Sequence, residues 1–364
     1  MKMKLTIELP DSPSRTSQVF VGRDTSAEFS EILASCLEDR VPYWIWDENV
    51  FALWRERLKD SAFPPIEPGR LIRFSASESN KRLSTLEELA AQLIALGADR
   101  ASTLVAIGGG VTGDVVGFLA SIYLRGVPHI QVPTTLLAQV DSSIGGKTGV
   151  DLDQGKNLLG AFHQPRVIWM DLQFLETLPP EEFRQGMAEV IKTAMIGDEL
   201  LWNYLEAHTD SLKRRDSEAL YEIVTACCRL KAKVVQLDEK ETGHRRVLNL
   251  GHTVGHALER LSNYQMRHGD AVALGLVAAT KLAVALGRIE AGDLMRLEKL
   301  CKAWDLPVRI PAGFTPEAVL AAMQTDKKHM RGKLHFVLPV RIGGVIDYQD
   351  IGLGQLGEII GLLK

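Results

Sequence analysis

The 364-residue sequence is poor in cysteine and lacks a block of charge of one sign. Its cysteines have neither CxxC spacing nor the density of a disulfide scaffold, so we expect reduced thiols and a cytoplasmic protein; they are Cys36, Cys227, Cys228 and Cys301. The formal charge is −4 and lysine and arginine are dispersed, which argues against nucleic acid or an anionic membrane as a partner. A small anionic substrate could still be bound by a local basic site.

Long apolar runs, repeats and low-complexity linkers are also absent. No apolar run reaches about 18 residues, so we expect no membrane-spanning helix. The N-terminal segment MKMKLTIELPDSP alternates apolar and polar residues, which predicts a strand, and it lacks the apolar core of a secretory signal. With 46% apolar and 24% charged residues, the chain is long enough for roughly two domains with a real core.

The two halves of the chain differ in periodicity. Short apolar runs such as YWIWD and STLVAIGGG alternate with helical stretches up to about residue 170, which is typical of a parallel α/β unit. Helical periodicity dominates from about residue 180, and a late strand-like segment, KLHFVLPVR, follows at 333–341. We therefore predict an α/β domain with a parallel sheet in residues 1–175 and a mostly α-helical domain in residues 176–364.

The segment STLVAIGGGVTGD places Gly108, Gly110 and Gly113 in GxGxxG spacing between a strand-like run and a helix. Such a turn lets a phosphate approach backbone N–H groups at a helix N-terminus, although it is also a packing device. HIQVPTTLL has no acidic residue to bind a ribose about 20 residues later. We therefore predict a non-standard dinucleotide site.

The segment DSSIGGKTGV resembles a phosphate-binding P-loop only superficially, because Asp141 occupies the position of its first glycine. What remains is a glycine-rich loop that displays Lys147, followed by Lys156 and Asn157. These side chains suit a phosphate or carboxylate held by charge-assisted hydrogen bonds, whereas the alternative is ordinary surface lysines.

Glu189 and Lys192 lie three apart in GMAEVIKTAMIG, among apolar residues that predict partial burial. The pair is either a simple ion pair or includes a metal ligand, since a buried charge requires a partner. Lys327 and Lys328 precede the late strand, where a charged turn is the simpler interpretation.

The segment NLGHTVGHALERLSNYQMRHGD, from 249 to 270, holds three histidines. His252 and His256 are four residues apart and share a helical face, and His268 begins another helix. Imidazole with carboxylate is a ligand set suited to zinc, so spacing alone nominates His252 and His256 as a ligand pair. The upstream Arg245 and Asn249 strengthen the prediction of a site over that of structural histidines.

Beyond single motifs, the chain resembles the sugar-phosphate cyclases, and among them the 3-dehydroquinate synthase family. The resemblance covers about residues 45–340, and its order and spacing match together across GGGVTGDVVGFLASIYLRG, QVPTTLLAQVDSSIGGKTGV, GKNLLGAF, QGMAEVIK, ETGHRRVLNLGHTVGHALE and HGDAVALG. It implies an NAD-binding α/β domain, a helical domain that binds zinc or cobalt, and a homodimer. It also implies conversion of 3-deoxy-D-arabino-heptulosonate 7-phosphate to 3-dehydroquinate and phosphate.

The resemblance assigns roles to individual positions. The metal ligands would be Glu189, His252 and His268, which moves His256 from the ligand pair to the substrate phosphate or a proton relay. Substrate or catalysis would involve Asp141, Lys147, Lys192, Lys231, Arg245, Asn249, His256 and Lys327. The substrate phosphate would be bound by Arg125, reaching into a neighbouring subunit, with Lys147, Asn157 and His256. NAD would be bound by Asp47, Glu78, Lys81, Gly110, Asp114, Thr134, Thr135, Lys147, Lys156 and Thr177.

The sequence departs from the family pattern at three places. SAS stands before Glu78 where a Pro-Asp-Gly turn is usual, Asp270 stands where glutamate is usual, and the first 45 residues match poorly. Three alternatives stay open: cyclases acting on sedoheptulose 7-phosphate or glucose 6-phosphate, NAD- and metal-dependent polyol dehydrogenases such as glycerol-1-phosphate dehydrogenase, and an inactive relative kept for binding. Joint presence of the implied substrate residues favours a substrate that carries a carboxylate.

Overall fold

The computed structural model describes residues 1–7, 16–59, 61–327, 336–348 and 351–363, with the side chains of 324–327, 347–348 and 353 outside the description. Its strands are β1 (Met3–Ile7), β2 (Ser17–Gly22), β3 (Val41–Asp47), β4 (Leu71–Phe74), β5 (Ser102–Gly108), β6 (His129–Pro133), β7 (Lys147–Leu152), β8 (Gly155–Phe162), β9 (Val167–Asp171), β10 (Phe336–Arg341) and β11 (Gly344–Tyr348). Its helices are α1 (Ser26–Leu37), α2 (Glu48–Lys59), α3 (Leu83–Ala95), α4 (Gly110–Ile122), α5 (Pro180–Gly197), α6 (Glu199–Lys213), α7 (Ser217–Leu237), α8 (His252–Leu261), α9 (His268–Ala285), α10 (Ala291–Ala303), α11 (Pro316–Lys327) and α12 (Leu353–Gly361).

Contacts within the chain divide it into two compact units, Met1–Pro179 with Arg215–Glu239, and Pro180–Arg214 with Lys240–Lys364. This division differs from the one predicted at 175/176, because the first unit runs to Pro179 and also includes Arg215–Glu239, which contains α7. The thiol of Cys228, buried on α7, donates to the backbone carbonyl of Gln139 at 3.6 Å. Sequence periodicity identified α7 as a helix but held no information on which core its apolar face joins.

The first unit is built on a seven-stranded sheet of order β1-β2-β9-β6-β5-β3-β4. Only the β1–β2 pair is antiparallel, and the remaining pairs are parallel, as the strand and helix alternation predicted. The central strands are buried on both faces, with β5 and β6 buried at every residue. Such strands require a helical layer on each side.

Each face of this sheet has its own core. One face packs apolar side chains of α3 and α4, such as Leu89 and Leu119, against the strands. The other is aromatic, with the ring of Phe29 stacked on Trp169 at 4.3 Å between centroids. Because parallel strands share an edge at their carboxyl ends, the segments after β3, β5, β6 and β9 begin at the same edge.

The second unit is mostly helical, as predicted, and adds the β10–β11 hairpin. The predicted strand at 333–341 corresponds to β10, and residues 333–335 lie outside the description. The long helix α9 is the single helix in the described ranges with the length and apolarity of a membrane span, although 72% of it is buried inside the protein. Asp270 and Lys281 interrupt its apolar run, and it packs as a core helix.

Candidate functional site

One carboxylate and two imidazoles converge in the helical unit. Glu189 lies on α5, His252 begins α8 and His268 begins α9, and one ligand atom from each lies within 4.8 Å of the others. Nε2 of His268 is 3.0 Å from Oε1 of Glu189, and Nε2 of His252 is 3.7 Å from the same oxygen. Three donors on three helices therefore face one point.

The Nδ1 atoms of both histidines are turned away from this point and are already hydrogen-bonded. Nδ1 of His252 is 3.2 Å from the backbone carbonyl of Leu250, and Nδ1 of His268 is 3.4 Å from Oε1 of Glu259. A partner on Nδ1 fixes the tautomer and leaves the Nε2 lone pair for a metal. Two such imidazoles with one carboxylate suit zinc or cobalt and leave coordination positions for substrate or water.

Glycines hold α8 against α9 closely enough to bring the two histidines together. Gly251 precedes His252 with a φ of +80°, and a Cβ at Gly275 would lie 2.7 Å from the carbonyl carbon of Gly251. One turn further along α8, a Cβ at Gly255 would lie 3.0 Å from the carbonyl oxygen of Ala271. The crossing therefore depends on the missing side chains, because any Cβ would separate the helices.

Burial and charge set the protonation of this group. Burial raises the pKa of Glu189, but Lys192, which forms an ion pair with its Oε2, and the two histidines outweigh it and hold the pKa well below the usual range. Burial and the Lys192 charge lower the pKa of His252 to about 3, so this imidazole is neutral. For His268, hydrogen bonds to Glu189 and Glu259 outweigh burial and raise the pKa to about 10. A metal bound here displaces a proton from His268.

His256 lies outside the ligand group. It is exposed, its ring is perpendicular to that of His252 with centroids 5.1 Å apart, and the group of donors able to meet at one ion does not include it. The ligand pair nominated from spacing, His252 with His256, is therefore not the one the fold assembles. Both rings share a face of α8, but only His252 offers a ligand atom within 4.8 Å of those of Glu189 and His268.

Three other residues implied for the substrate, Arg245, Asn249 and Lys327, also belong to the helical unit. Arg245 is 2% exposed in the short 3-10 turn His244–Asn249, and Nδ2 of Asn249 donates to Oε1 of Glu241 at 2.6 Å. Lys327 ends α11, but its side chain, like the whole of Lys328, lies outside the described residues.

In the α/β unit, the glycine turn predicted to bind a dinucleotide lies between β5 and α4. A Cβ at Gly108 would lie 2.7 Å from Cβ of Thr112, and one at Gly110 would lie 3.0 Å from Oγ of Ser142. Beside the turn, the buried hydroxyls of Ser142 and Thr134 have no hydrogen-bond partner within the described ranges. A shallow opening is lined by the turn, Asp114 and Ser142. Open backbone N–H groups and spare hydroxyls fit the phosphates of a dinucleotide.

A buried lysine organises the neighbouring residues. Nζ of Lys81, 4% exposed, donates to Oδ2 of Asp114 at 2.6 Å and to Oδ1 of Asn157 at 2.5 Å. The backbone N–H of Asn157, at a φ of +53°, donates to Oδ1 of Asp151 at 2.7 Å. Burial lowers the pKa of Lys81, but Asp114 outweighs it and raises the pKa overall. Asn157, implied as a phosphate ligand, thus contacts residues implied for NAD.

The remaining residues implied for the cofactor lie at or near the carboxyl edge. Lys156 pairs with Glu78 at 2.9 Å. Asp47 ends β3, where its Oδ1 accepts from the N–H of Asn49 at 2.8 Å and burial raises its pKa. Oγ1 of Thr135 accepts from the N–H of Ala138 at 3.2 Å. The hydroxyl of Thr177 accepts from Nε1 of Trp54 at 2.8 Å, which supports the loop after β9.

Four further residues implied for the substrate belong to the α/β unit: Arg125, Asp141, Lys147 and Lys231. Nζ of Lys231, on α7, donates to the backbone carbonyl of Asp141 at 2.7 Å and pairs with its carboxylate. Lys147 is exposed at the start of β7. Arg125 is exposed and has a φ of +73°, directly after Leu124 at +50° and before Gly126 at +118°. Three successive left-handed residues make the loop of Arg125 a strained one.

Sequence reasoning missed several residues that support the site. Glu259 lies seven residues after His252 on the same face of α8, so helical spacing could have identified it. Gln185 lies one turn before Glu189 on α5, and its amide contacts α9. Asp151 orients Asn157, but no local pattern distinguishes it from an ordinary turn aspartate.

Together, a dinucleotide turn in a parallel α/β unit and a Glu-His-His centre in a helical unit define a class of NAD- and divalent-metal-dependent enzymes. Its solved structures include the 2-epi-5-epi-valiolone synthase ValA from Streptomyces hygroscopicus subsp. jinggangensis 5008 with NAD+ and Zn2+ bound, which is 29% identical with a TM-score of 0.85 and coverage of 95% and 96% of the two chains. A 2-deoxy-scyllo-inosose synthase complexed with carbaglucose-6-phosphate, NAD+ and Co2+ is 27% identical, with a TM-score of 0.84 and coverage of 98% and 99%. A probable glycerol dehydrogenase from Sinorhizobium meliloti 1021, 15% identical with a TM-score of 0.63 and 95% coverage of each chain, shares the fold alone.

Sequence comparison is more specific. The family models of the 3-dehydroquinate synthase N-terminal and C-terminal regions match residues 71–185 and 186–329. The 3-dehydroquinate synthase of Syntrophotalea carbinolica is 47% identical over 94% of each chain, and that of Pseudoalteromonas translucida is 39% identical over 98% of this chain and 99% of its own. The chain belongs to the 3-dehydroquinate synthase family.

Proposed function

We propose that the protein converts 3-deoxy-D-arabino-heptulosonate 7-phosphate to 3-dehydroquinate and phosphate, as a cytoplasmic enzyme. The observation that carries this proposal is the Glu189, His252 and His268 centre in a chain of this family that also retains the dinucleotide turn. When bound, NAD supplies a reversible hydride acceptor and the divalent metal supplies a Lewis acid for substrate hydroxyls. Because the hydride returns to the substrate, no net NADH is expected.

The substrate chemistry explains why these groups occur together. Oxidation of the C5 hydroxyl to a ketone acidifies the neighbouring C–H, so that phosphate leaves by elimination before reduction, ring opening and aldol closure. Glu189, His252 and His268 would hold the metal, and the backbone N–H groups around Gly110 would bind phosphates of NAD. The substrate phosphate can itself accept the proton during elimination, so no dedicated protein base is required.

Buried cations in each unit would bind the substrate anions. Lys192 and Arg245 of the helical unit are each 2% exposed, and Lys231 of the α/β unit is 8% exposed. Desolvated cations are favourable only with anionic partners, and an anionic substrate adds one. We assign the carboxylate to Lys147, Arg245 and Asn249.

The phosphate and the remaining polar groups would be bound by a second set. We assign the phosphate to His256, Asn157 and Lys147, with Arg125 supplied by a neighbouring subunit. Asp141 would lie near the substrate hydroxyls, and Lys327 would contribute from the end of α11. The NAD set keeps its assignment: Asp47, Glu78, Lys81, Asp114, Thr134, Thr135, Lys147, Lys156 and Thr177.

A homodimer is part of the proposal. Four apolar side chains of the α/β unit, on α4, the Arg125 loop and β8, are between 40% and 52% exposed: Ile122, Leu124, Leu158 and Phe162. Ile122 and Leu124 adjoin Arg125 in sequence, and exposed apolar groups that form a patch are typical of a surface that another chain covers. A second copy that covers these side chains would also contact Arg125, which directly follows Leu124.

Phosphate release tests the proposed activity. The purified protein with NAD and zinc should release phosphate from the heptulosonate phosphate, lose this activity with a chelator, and regain it when zinc is restored. Sedoheptulose 7-phosphate and glucose 6-phosphate are the matched alternatives, because the solved relatives include cyclases such as the one complexed with carbaglucose-6-phosphate. Release from either of them alone would contradict the proposal, and so would net NADH accumulation, which a polyol dehydrogenase gives.

A further inference from the structure

The first turn of α9, which carries His268, is held by a side chain of α5. Gln185 is 5% exposed, and its Oε1 accepts a hydrogen bond from the backbone N–H of Gly269 at 2.6 Å. N–H groups in the first turn of a helix have no partner within that helix, and the N-cap residue Arg267 forms no capping hydrogen bond through its side chain. Gln185 therefore supplies from another helix the cap that the segment before α9 does not provide.

Further contacts join the same turn to α5. Arg184 donates to Oδ2 of Asp270 at 3.2 Å, and Nε2 of Gln185 donates to Oδ1 of Asp270 at 3.5 Å. A Cβ on Gly269 would lie 2.7 Å from Cα of Gln185, so glycine is required for this approach. Two consecutive residues of α5 thus fix both the backbone and the Asp270 side chain of the first turn of α9.

This attachment lies beside two of the three proposed metal ligands. Gln185 is one helical turn before Glu189 on the same face of α5, and Gly269 directly follows His268. Oε1 of Glu189 and Nε2 of His268 are 3.0 Å apart, and the hydrogen bond from the N–H of Gly269 to Gln185 joins the two helices beside them and so helps to fix this distance. We propose that Gln185 is a positioning residue of the metal centre, which holds Glu189 and His268 at ligand distance. This inference rests on the proposed ligand set.

Zinc affinity of the full chain tests this role. Gln185→Met keeps the length of the side chain but removes the acceptor, and we expect the zinc Kd to rise about 10- to 100-fold, as for residues that orient metal ligands. Gln185→Glu keeps an oxygen for the N–H of Gly269 but replaces the donor to Asp270 by a carboxylate, so it should retain more affinity than Gln185→Met and less than the wild type. The control Thr280→Val removes another buried hydrogen bond of α9, from Oγ1 to the carbonyl of Leu276 at 2.8 Å, and should leave the Kd unchanged. Affinity is measured by competition with a chromophoric chelator on metal-free protein, and thermal melting of the same samples reports the fold.

The outcomes separate this inference from the ligand assignment. Wild-type zinc affinity in Gln185→Met would overturn the inference, and so would equal losses in Gln185→Met and Thr280→Val, since general destabilisation would explain both. If Gln185→Met does not fold, Gln185→Asn, shorter by one methylene, carries the same expectation. His268→Ala tests the ligand set itself: unchanged affinity there would reject the proposed site, whereas loss there with full affinity in Gln185→Met rejects the role of Gln185 alone.

Discussion

The crossing of α8 and α9 makes Gly275→Ala a demanding test of how the metal centre is built. The added Cβ would overlap the carbonyl oxygen of Gly251 and lie 2.7 Å from its carbonyl carbon, whereas carbon atoms in contact prefer about 3.5–4.0 Å. The helices must therefore separate by at least about 1 Å, and overpacking of this kind costs about 1–3 kcal/mol of unfolding free energy. Because Gly251 precedes His252, a shift of that size also exceeds the tolerance of metal–ligand distances, about 0.2 Å.

The matched control is Gly292→Ala on α10, because a Cβ at Gly292 would meet nothing within 4 Å. It should be neutral or stabilising by about 0.4–1 kcal/mol, since alanine restricts the unfolded chain more than glycine does. Scanning calorimetry of both variants, with and without zinc, gives the stabilities, and chelator competition gives the metal affinities. We expect Gly275→Ala to be less stable than the control and at least about 10-fold weaker in zinc affinity. Equal stability and equal affinity in the two variants would refute the argument that the glycine crossing positions His252.

Three further predictions concern other parts of the molecule. His256→Ala should slow phosphate release while zinc content, measured by atomic emission, stays near one ion per chain; a metal-free variant would show that His256 is a ligand after all. Burial, with a smaller contribution from His163, holds the pKa of His129 well below its usual range, so the folded state is most stable when the His129 imidazole is neutral. The unfolding free energy, measured by chemical denaturation, should therefore fall as pH drops below about 6.5, by up to about 1.4 kcal/mol per pH unit. His129→Gln should flatten this pH dependence, whereas a control substitution at the exposed His208 should keep it. An unchanged pH dependence in His129→Gln would contradict the argument. Arg125→Ala and His256→Ala should each be weakly active alone, but their co-expressed mixture should regain part of the activity if Arg125 serves a neighbouring subunit; no gain over the separate variants would remove that role.

The fold class was predictable because its signals are local. Alternating apolar runs and helical stretches predicted the parallel sheet, and the spacing of Gly108, Gly110 and Gly113 predicted the strand-to-helix turn between β5 and α4. The assignment of α7 to the first unit was not predictable in the same way. Its amphipathic pattern would suit either core, and only the packing of residues such as Cys228 against the α/β unit decides between them.

The metal centre shows the same division between local and tertiary information. By itself, the sequence determined which side chains were available, His252 and His256 on one helical face and a buried carboxylate at Glu189, because spacing along a helix is a local property. Helical spacing could not distinguish His268 from His256; the family resemblance implied His268, and the tertiary structure supplies the physical reason, since the packing of α5 and α9 against α8 depends on contacts distant in sequence. The role of the Gln185 amide is likewise tertiary information, because the N–H that it caps belongs to another helix, α9.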